Sequence, residues 1–126
     1  MTEAALALID SSMKTLGLNY ALMQWKDSPK YPYFTGEYQE EESMSEDGQL
    51  TSHFTLNGWT RATQLELEQA KRKIESYFDR LSGKTVIAED GSVVTIFYAN
   101  SLPIPTGIDE LKRIQINLLV KEWMVI

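Results

Sequence analysis

Two stretches of the chain have apolar residues at three- and four-residue spacing, the period of a helix with one buried side. The first predicted helix covers residues 2–16, and Gly17 is placed to end it in a left-handed cap. The second follows Thr63 and Glu66, which have the spacing of a capping box, and ends before Gly83. The apolar positions are Ala5, Ile9, Met13 and Leu16 in the first helix and Leu67, Ala70, Ile74, Tyr77, Phe78 and Leu81 in the second. Each helix therefore needs a partner for one side.

Most of the remaining chain is predicted to form strands, because it consists of alternating patterns or short apolar and aromatic runs between turn residues. The predicted strands are residues 19–25, 33–40 and 49–59, the hairpin arms 84–88 and 92–100, and residues 111–126. Gly36, inside one of them, is interpreted as the position of a β-bulge. Residues 101–107, SLPIPTG, are expected to be irregular because they contain two prolines.

The alternation within residues 49–59 separates an apolar face from a polar face. The apolar face has Leu50, Phe54 and Leu56, and the polar face has Thr51, His53, Thr55 and Asn57. The order of elements predicts an α+β fold, with a mostly antiparallel sheet of four to five strands and two helices packed on one face. A single domain over residues 1–126 is expected. The opposite face of the sheet is predicted to stay polar and available.

Acidic residues are concentrated between two of the predicted strands. Residues 37–47 contain six acids, and Asp47 and Gly48 form a turn pair. Self-repulsion and poor burial favour a solvated loop, so this segment is interpreted as the tip of a long hairpin.

The composition is that of an ordinary globular protein, with 43% hydrophobic and 24% charged residues. The formal charge of −6 makes binding to a phosphate backbone unfavourable. Cysteine is absent, which excludes disulfides, thiolate metal sites and a cysteine nucleophile. The N-terminus is expected to be retained, because Glu3 precedes a short apolar run where a signal peptide needs a basic start. No apolar run is long enough for a membrane helix, so a soluble protein is expected.

Few residues suited to catalysis or metal binding are present. His53 is the only histidine and is predicted on a polar strand face, where it is interpreted as a surface residue. The acidic loop lacks calcium-loop spacing, since Phe54 stands where the final acid belongs. Glu41 and Glu42 are consecutive in a loop and hold no fixed separation. Glycine-rich phosphate loops and hydrolase motifs are also missing. The prediction is a protein that is not an enzyme and has no cofactor or metal.

Aromatic residues cluster around the first strands, and two roles are open for them. They are Tyr31, Tyr33, Phe34, Tyr38 and Trp59, with Trp123 near the C-terminus. Such side chains anchor either a core or an interface. Pro29 and Pro32 beside them favour an edge position, which is a typical assembly surface.

One aromatic segment and the order of elements resemble a known family. The segment SPKYPYFTGEYQEEE, residues 28–42, has a Pro-Tyr-Phe-x-Gly-Glu core, and HFTLNGWTRA, residues 53–62, leads into the second helix. With a leading helix and a strand that ends the chain, this arrangement resembles the small tail-terminator and tail-completion proteins of long-tailed phages and prophages. The resemblance covers nearly the whole chain.

The resemblance implies a structural role in virion assembly. Members of this family have an α+β sheet with helices on one side, and they form a ring, commonly hexameric, that caps the tail tube and joins it to the head connector. The implied partners are further copies of the chain, the tail-tube protein and the head-connector protein. DNA would only pass through, and no membrane is implied. The implied location is the tail of the virion, after synthesis in the cytoplasm of the bacterial host.

The segment around the hairpin is predicted to contact these partners. The predicted residues are Tyr31, Tyr33, Phe34, Glu37, Tyr38, Glu40, Glu41, Glu42, Glu46 and Asp47. An alternative is a non-enzymatic adaptor that binds a peptide along the edge from Tyr31 to Tyr38 by strand addition. A third hypothesis, a carboxylate-dependent hydrolase, would lose activity on Glu40→Gln or Glu41→Gln and would require a metal.

Overall fold

The computed structural model describes residues 1–25, 28, 30–41 and 48–124 of the chain. These residues form two helices and six strands. The helices are α1 (Glu3–Thr15) and α2 (Gln64–Tyr77), and the strands are β1 (Asn19–Leu22), β2 (Tyr33–Glu40), β3 (Gln49–Thr60), β4 (Lys84–Ile87), β5 (Val93–Ile104) and β6 (Lys112–Trp123). Along the chain their order is α1, β1, β2, β3, α2, β4, β5, β6.

The six strands form one sheet in the order β1-β2-β3-β6-β5-β4. The pair β1–β2 is parallel and the other pairs are antiparallel, so the sheet is mixed. The α+β prediction is confirmed, whereas the expected four to five strands are one or two too few. Six segments had strand-like patterns in the sequence, and all of them contribute. β1 is shorter than predicted because Met23, just beyond it, has a left-handed φ of 67°.

Both helices pack on the same face of this sheet, as predicted. Their apolar stripes and the inward side chains of the strands form one buried cluster. The cluster contains Ala5, Leu8, Ile9 and Met13 of α1, Leu67, Ala70 and Ile74 of α2, and Phe34, Phe54, Leu56, Val94, Ile96, Tyr98, Ile114, Ile116, Leu118 and Val120 of the strands, together with Phe78. Burial of this continuous apolar surface is the main stabilising contribution to the fold.

The start of α1 is bonded to the last strand. The Thr2 hydroxyl accepts from the Ala5 N–H at 3.2 Å, as a helix N-cap does. The same hydroxyl and the Thr2 N–H donate to the Glu122 carboxylate, at 2.5 and 3.0 Å. Glu122 is 1% exposed, and its negative charge lies at the positive end of the helix. Gly17 follows the helix with φ 73°, which confirms the predicted left-handed end.

The second helix differs from its prediction at both ends. The Thr63 side chain makes no capping hydrogen bond, and the Glu66 carboxylate accepts instead from the Thr60 hydroxyl at 3.3 Å, so the capping box is not formed. The helix ends at Tyr77 and Phe78 is its C-cap. Leu81, assigned to the apolar stripe by its spacing, is 90% exposed.

Gly36 does not mark a bulge, because it pairs with Leu56 in an unbroken register. An added Cβ at this position would lie 2.6 Å from Cε1 of Phe54. The glycine is therefore required by the close approach of an aromatic ring. The register irregularity of the sheet lies in β5, between Tyr98 and Asn100.

β5 continues to Ile104, so the prediction of irregular structure is wrong for Ser101–Ile104. β4 pairs with β5 only as far as Ile96. Further along, β5 is paired with β6 on one side, and no strand of the described chain pairs with its other edge. Proline is tolerated in a strand at such an edge.

The backbone direction explains why Pro103 fits there. The Tyr98 N–H points away from β6, since it donates to the Phe78 carbonyl at 2.8 Å. Backbone groups alternate sides along a strand, and the irregularity at Ala99 shifts that alternation by one residue. The nitrogen of Pro103 therefore also faces the open edge, where no N–H is required for the sheet.

The C-terminal strand is shorter than residues 111–126. β6 ends at Trp123, and the Met124 N–H donates to the Gly48 carbonyl at 3.1 Å. Residues 125–126 lie outside the described part of the chain. Within β6, Ile114, Ile116, Leu118 and Val120 point into the core.

Candidate binding surface

The face of the sheet opposite the helices has a connected set of polar side chains. Arg113 Nη2 donates to Asn57 Oδ1 at 2.8 Å, and Asn57 Nδ2 donates to Glu37 Oε1 at 3.3 Å. These residues come from β6, β3 and β2, which are neighbours in the sheet. Asn57 is 6% exposed, so its amide is held in place by partners on both sides.

A second set of hydrogen bonds continues toward β5. Asn117 Oδ1 accepts from Thr55 Oγ1 at 3.2 Å and from Gln115 Nε2 at 3.1 Å. Asn117 Nδ2 donates to Asn100 Oδ1 at 2.6 Å. Together the two sets extend over four strands. The open face therefore presents ordered polar groups, which is a surface suited to contact another molecule.

One end of this face is formed by stacked aromatic rings. The Tyr33 and Trp59 rings are stacked with centroids 5.2 Å apart, and Tyr31 and Trp25 contact Tyr33 at 5.3 and 5.9 Å. Two guanidinium groups complete the cluster. We call these six residues the aromatic–arginine patch: Trp25, Tyr31, Tyr33, Trp59, Arg61 and Arg113.

The guanidinium groups lie over the rings. Arg61 is 5.5 Å from the Tyr31 centroid, and Arg113 is 5.4 Å from the Trp59 centroid. A hydrogen bond to Tyr31 raises the pKa of Arg61, and burial raises the pKa of Tyr33. Among residues 1–25, 28, 30–41 and 48–124, neither arginine forms a salt bridge. Their positive charge is therefore available to a carboxylate or phosphate.

Carboxylates gather at the opposite end of β2. Glu40 pairs with the Met1 amino group, and Glu41 Oε1 lies 3.2 Å from His53 Nε2. The Glu41 N–H donates to the Thr51 carbonyl at 3.0 Å, which extends the antiparallel hairpin beyond β2. The antiparallel pairing of the two strands of the predicted hairpin is thus confirmed. The predicted residues Glu42, Glu46 and Asp47 lie outside the described residues.

The predicted contact residues separate into different environments. Tyr31 and Tyr33 belong to the patch, and Glu37 belongs to the polar network. Phe34 is fully buried in the core and cannot contact a partner. Tyr38 is half-buried, with its ring stacked 6.5 Å from that of Phe54. Burial of Phe34 follows from the alternation of β2, in which it faces the helices.

The edge proposed for strand addition is also partly covered. β1 pairs with β2 from Tyr33 to Gly36, so this half of β2 lies inside the sheet. The outer side of β2 is open only over Glu37–Glu40 among the described residues. The Gly36 carbonyl accepts from Met23 N–H on the β1 side, at 2.7 Å. By alternation, the backbone groups of Tyr38 and Glu40 also point to that side.

Sequence reasoning missed the residues that give this surface its charge and order. Arg61, Arg113 and Asn117 were not among the predicted contact residues. The sequence does place Arg113 and Asn117 at polar positions of an alternating strand, and that alternation was the available signal. Their proximity to the aromatic residues depends on the pairing of β3 with β6.

Within the described ranges, no three histidine or acidic side chains come together as a metal site would require. The His53–Glu41 pair is largely exposed, with side-chain exposures of 60% and 52%. Neither helix of the described chain is long and apolar enough to cross a membrane.

Comparison with known proteins shows a recurring fold. No protein-family model matches the chain, and no curated protein is significantly similar to it. In one solved structure the aligned chain is 19% identical, and the alignment covers 98% of this chain and 94% of the other, with a TM-score of 0.69. At this identity the likeness shows a shared fold alone.

Proposed function

We propose that the chain is a structural subunit of the tail-terminator type, which forms a ring that caps a phage tail tube and helps to join the tail to the head. The observation that supports this proposal is the position of both helices on one face of the sheet. No described helix or strand covers the opposite face, and its ordered polar groups and patch are available for protein contacts. The order of the elements and the aromatic segment of β2 agree with the same family.

In this proposal the chain acts without catalysis or cofactor. Its partners are copies of itself in a ring, commonly hexameric, with the tail-tube protein on one side and the head-connector protein on the other. DNA passes through the ring as cargo. In the ring, the acidic segment of residues 37–47 contacts a neighbouring subunit or the tail tube. The place of action is the tail of the virion, following synthesis in the host cytoplasm.

Assembly on tail tubes tests this function directly. Purified chain is added to polymerising tail-tube subunits, and tube length and end occupancy are measured by electron microscopy. Tubes are expected to be shorter and to have the chain at one end. Leu81→Gln is the matched control, because Leu81 is 90% exposed and lies outside the open face, and it should act like the wild type. Tubes of unchanged length with bare ends would refute the proposal.

The open edge at Glu37–Glu40 favours a second candidate, a non-enzymatic adaptor that binds a peptide by strand addition. Tyr38 and Glu40 have backbone groups directed away from β3 there, and such groups can pair with an added strand. Glu40→Pro removes one of these N–H groups without removing a bond to β3. An adaptor would lose peptide binding in this variant, whereas capping of tubes by a ring that does not use this edge would persist.

A further inference from the structure

The aromatic–arginine patch has an unbalanced charge in a chain that is otherwise acidic. The chain has a formal charge of −6, yet Arg61 and Arg113 both lie over rings of this cluster and form no salt bridge among the described residues. Glu110 is near enough to act on Arg61 through its field, and it forms no ion pair with it. The patch is therefore a cationic surface with flat apolar rings between its charges.

Such a surface recognises carboxylates next to apolar or aromatic groups. A guanidinium binds a carboxylate through two parallel N–H donors, and aromatic rings around it reduce competition from water. Arg113 is also oriented by its hydrogen bond to Asn57, so little side-chain entropy is lost on binding.

The chain itself has carboxylates at the other end of the same strands, where Glu40 and Glu41 lie and three further acids follow in sequence within residues 42–47. Tyr33 begins β2 and Glu40 ends it, and at a rise of about 3.3 Å per residue these ends lie about 23 Å apart. The rigid pairing of β2 with β3 keeps them apart within one copy. Two unlike, oppositely charged ends favour head-to-tail contact between copies. Such contacts form a closed ring when the rotation from each copy to the next returns the last copy to the first.

We propose that the aromatic–arginine patch binds the acidic segment of residues 37–47 of a second copy of the chain. This contact rests on the proposed ring and identifies the surfaces that hold neighbouring subunits together. Arg61 and Arg113 bind carboxylates of the neighbour, and the rings of Trp59 and Tyr31 pack against the stems of those side chains. A single-stranded nucleic acid could use the same groups, but the net charge of the chain opposes it.

A peptide test separates this contact from the function of the ring. A synthetic peptide of residues 37–48 is titrated into isotope-labelled full-length chain, and the indole signals of Trp25 and Trp59 are followed by NMR. We expect shifts at these indoles, with binding at least about tenfold weaker in Arg61→Gln. The control peptide has every acid replaced by its amide and should bind weakly. An oligonucleotide of mixed sequence is the third ligand.

Three results would overturn the contact: no shift at the patch, equal binding of the amide peptide, or stronger binding of the oligonucleotide. Arg113→Gln is a second variant, with circular dichroism to verify folding, because Arg113 also supports Asn57. Arg61 is exposed and its replacement should leave the fold intact.

Mixing experiments on tail tubes then distinguish the two proposals. Arg61→Glu impairs the patch, and a variant with Glu41, Glu42 and Glu46 changed to Gln impairs the hairpin. Neither alone should form rings, and their mixture should give heterodimers with one intact contact. If both variants cap tubes as well as the wild-type chain does, the proposed contact between subunits is wrong and the proposed capping function is supported. If the peptide binds the patch and wild-type chain never caps tubes, the function is wrong.

Discussion

Two glycines of the sheet are explained by the aromatic rings that cover them. Gly58 pairs directly with Phe34, and an added Cβ would lie 2.8 Å from Cδ1 of that ring. Gly36 lies diagonally across from Phe54, and an added Cβ there would lie 2.6 Å from Cε1 of that ring. A glycine in a strand usually weakens it, since it has no side chain to pack. Here the missing side chain leaves space for a buried ring, which is fixed by the two strands together.

Replacement of Gly58 by alanine is expected to destabilise the fold by about 1–3 kcal/mol, because the Phe34 ring must move within a close-packed core. Urea unfolding of the variant measures this loss. In the background of Phe34→Leu, which lacks the ring, the same replacement should be less harmful, and a double-mutant cycle should give a clear coupling energy. Equal losses in both backgrounds would show that the ring is not the cause.

At the scale of elements, periodicity located the helices and tertiary packing decided where α2 ends. The spacing of Phe78 and Leu81 placed both on the apolar stripe. In the structure the chain leaves the helix at Tyr77, Phe78 enters the core, and the Phe78 carbonyl bonds to the Tyr98 N–H of β5. The Asp79 carboxylate then accepts from the Leu81 N–H at 2.7 Å in the following turn, and the Leu81 side chain is exposed.

Substitutions at these two positions should therefore differ strongly. Phe78→Ala is expected to lower the free energy of unfolding by about 3–5 kcal/mol, as for other buried aromatic residues. Leu81→Gln should change it by no more than about 0.5 kcal/mol. Chemical denaturation of both variants measures the difference. A comparable loss for Leu81→Gln would indicate that the helix extends further than Tyr77.

The open edge of β5 leads to a second prediction at this scale. Pro103 presents no N–H there, and the Tyr98 N–H is already bonded, so few groups remain to pair with another strand. Pro103→Val adds an outward N–H and should increase concentration-dependent association, measured by sedimentation velocity. Pro105→Val, in the loop after β5, is the control and should sediment like the wild type. Equal sedimentation of both variants would contradict the protective role of Pro103.

At the scale of the whole molecule, hydrogen bonds join residues near the two termini. Thr2 caps the first helix and donates twice to Glu122 in the last strand, although the residues are 120 positions apart in the chain. The carboxylate is almost fully buried, so each lost hydrogen bond leaves a poorly solvated charge. This link joins α1 to the centre of the sheet, since β6 lies between β3 and β5.

Thr2→Val should lower global stability by about 1–2 kcal/mol, because it removes the cap and one donor to Glu122 at nearly constant volume. Thermal and urea unfolding of the whole chain measure the effect. Thr15→Val is the matched control: its hydroxyl bonds to the Ser11 carbonyl at the exposed end of the same helix, so a change within about 0.5 kcal/mol is expected. Similar losses in both variants would indicate a general effect of threonine in α1.

The sequence by itself determined both helices, the apolar and polar faces of the long strands, the β2–β3 hairpin and the α+β class. These features depend on short-range periodicity and turn residues, which a chain expresses locally. It also identified Tyr31 and Tyr33 of the candidate surface. Only the tertiary structure decided that β1 joins β2 in parallel, that β6 lies beside β3, and that Arg61 and Arg113 lie over rings of one aromatic cluster. Those neighbours come from distant parts of the chain, and their pairing depends on how all the apolar faces are buried together.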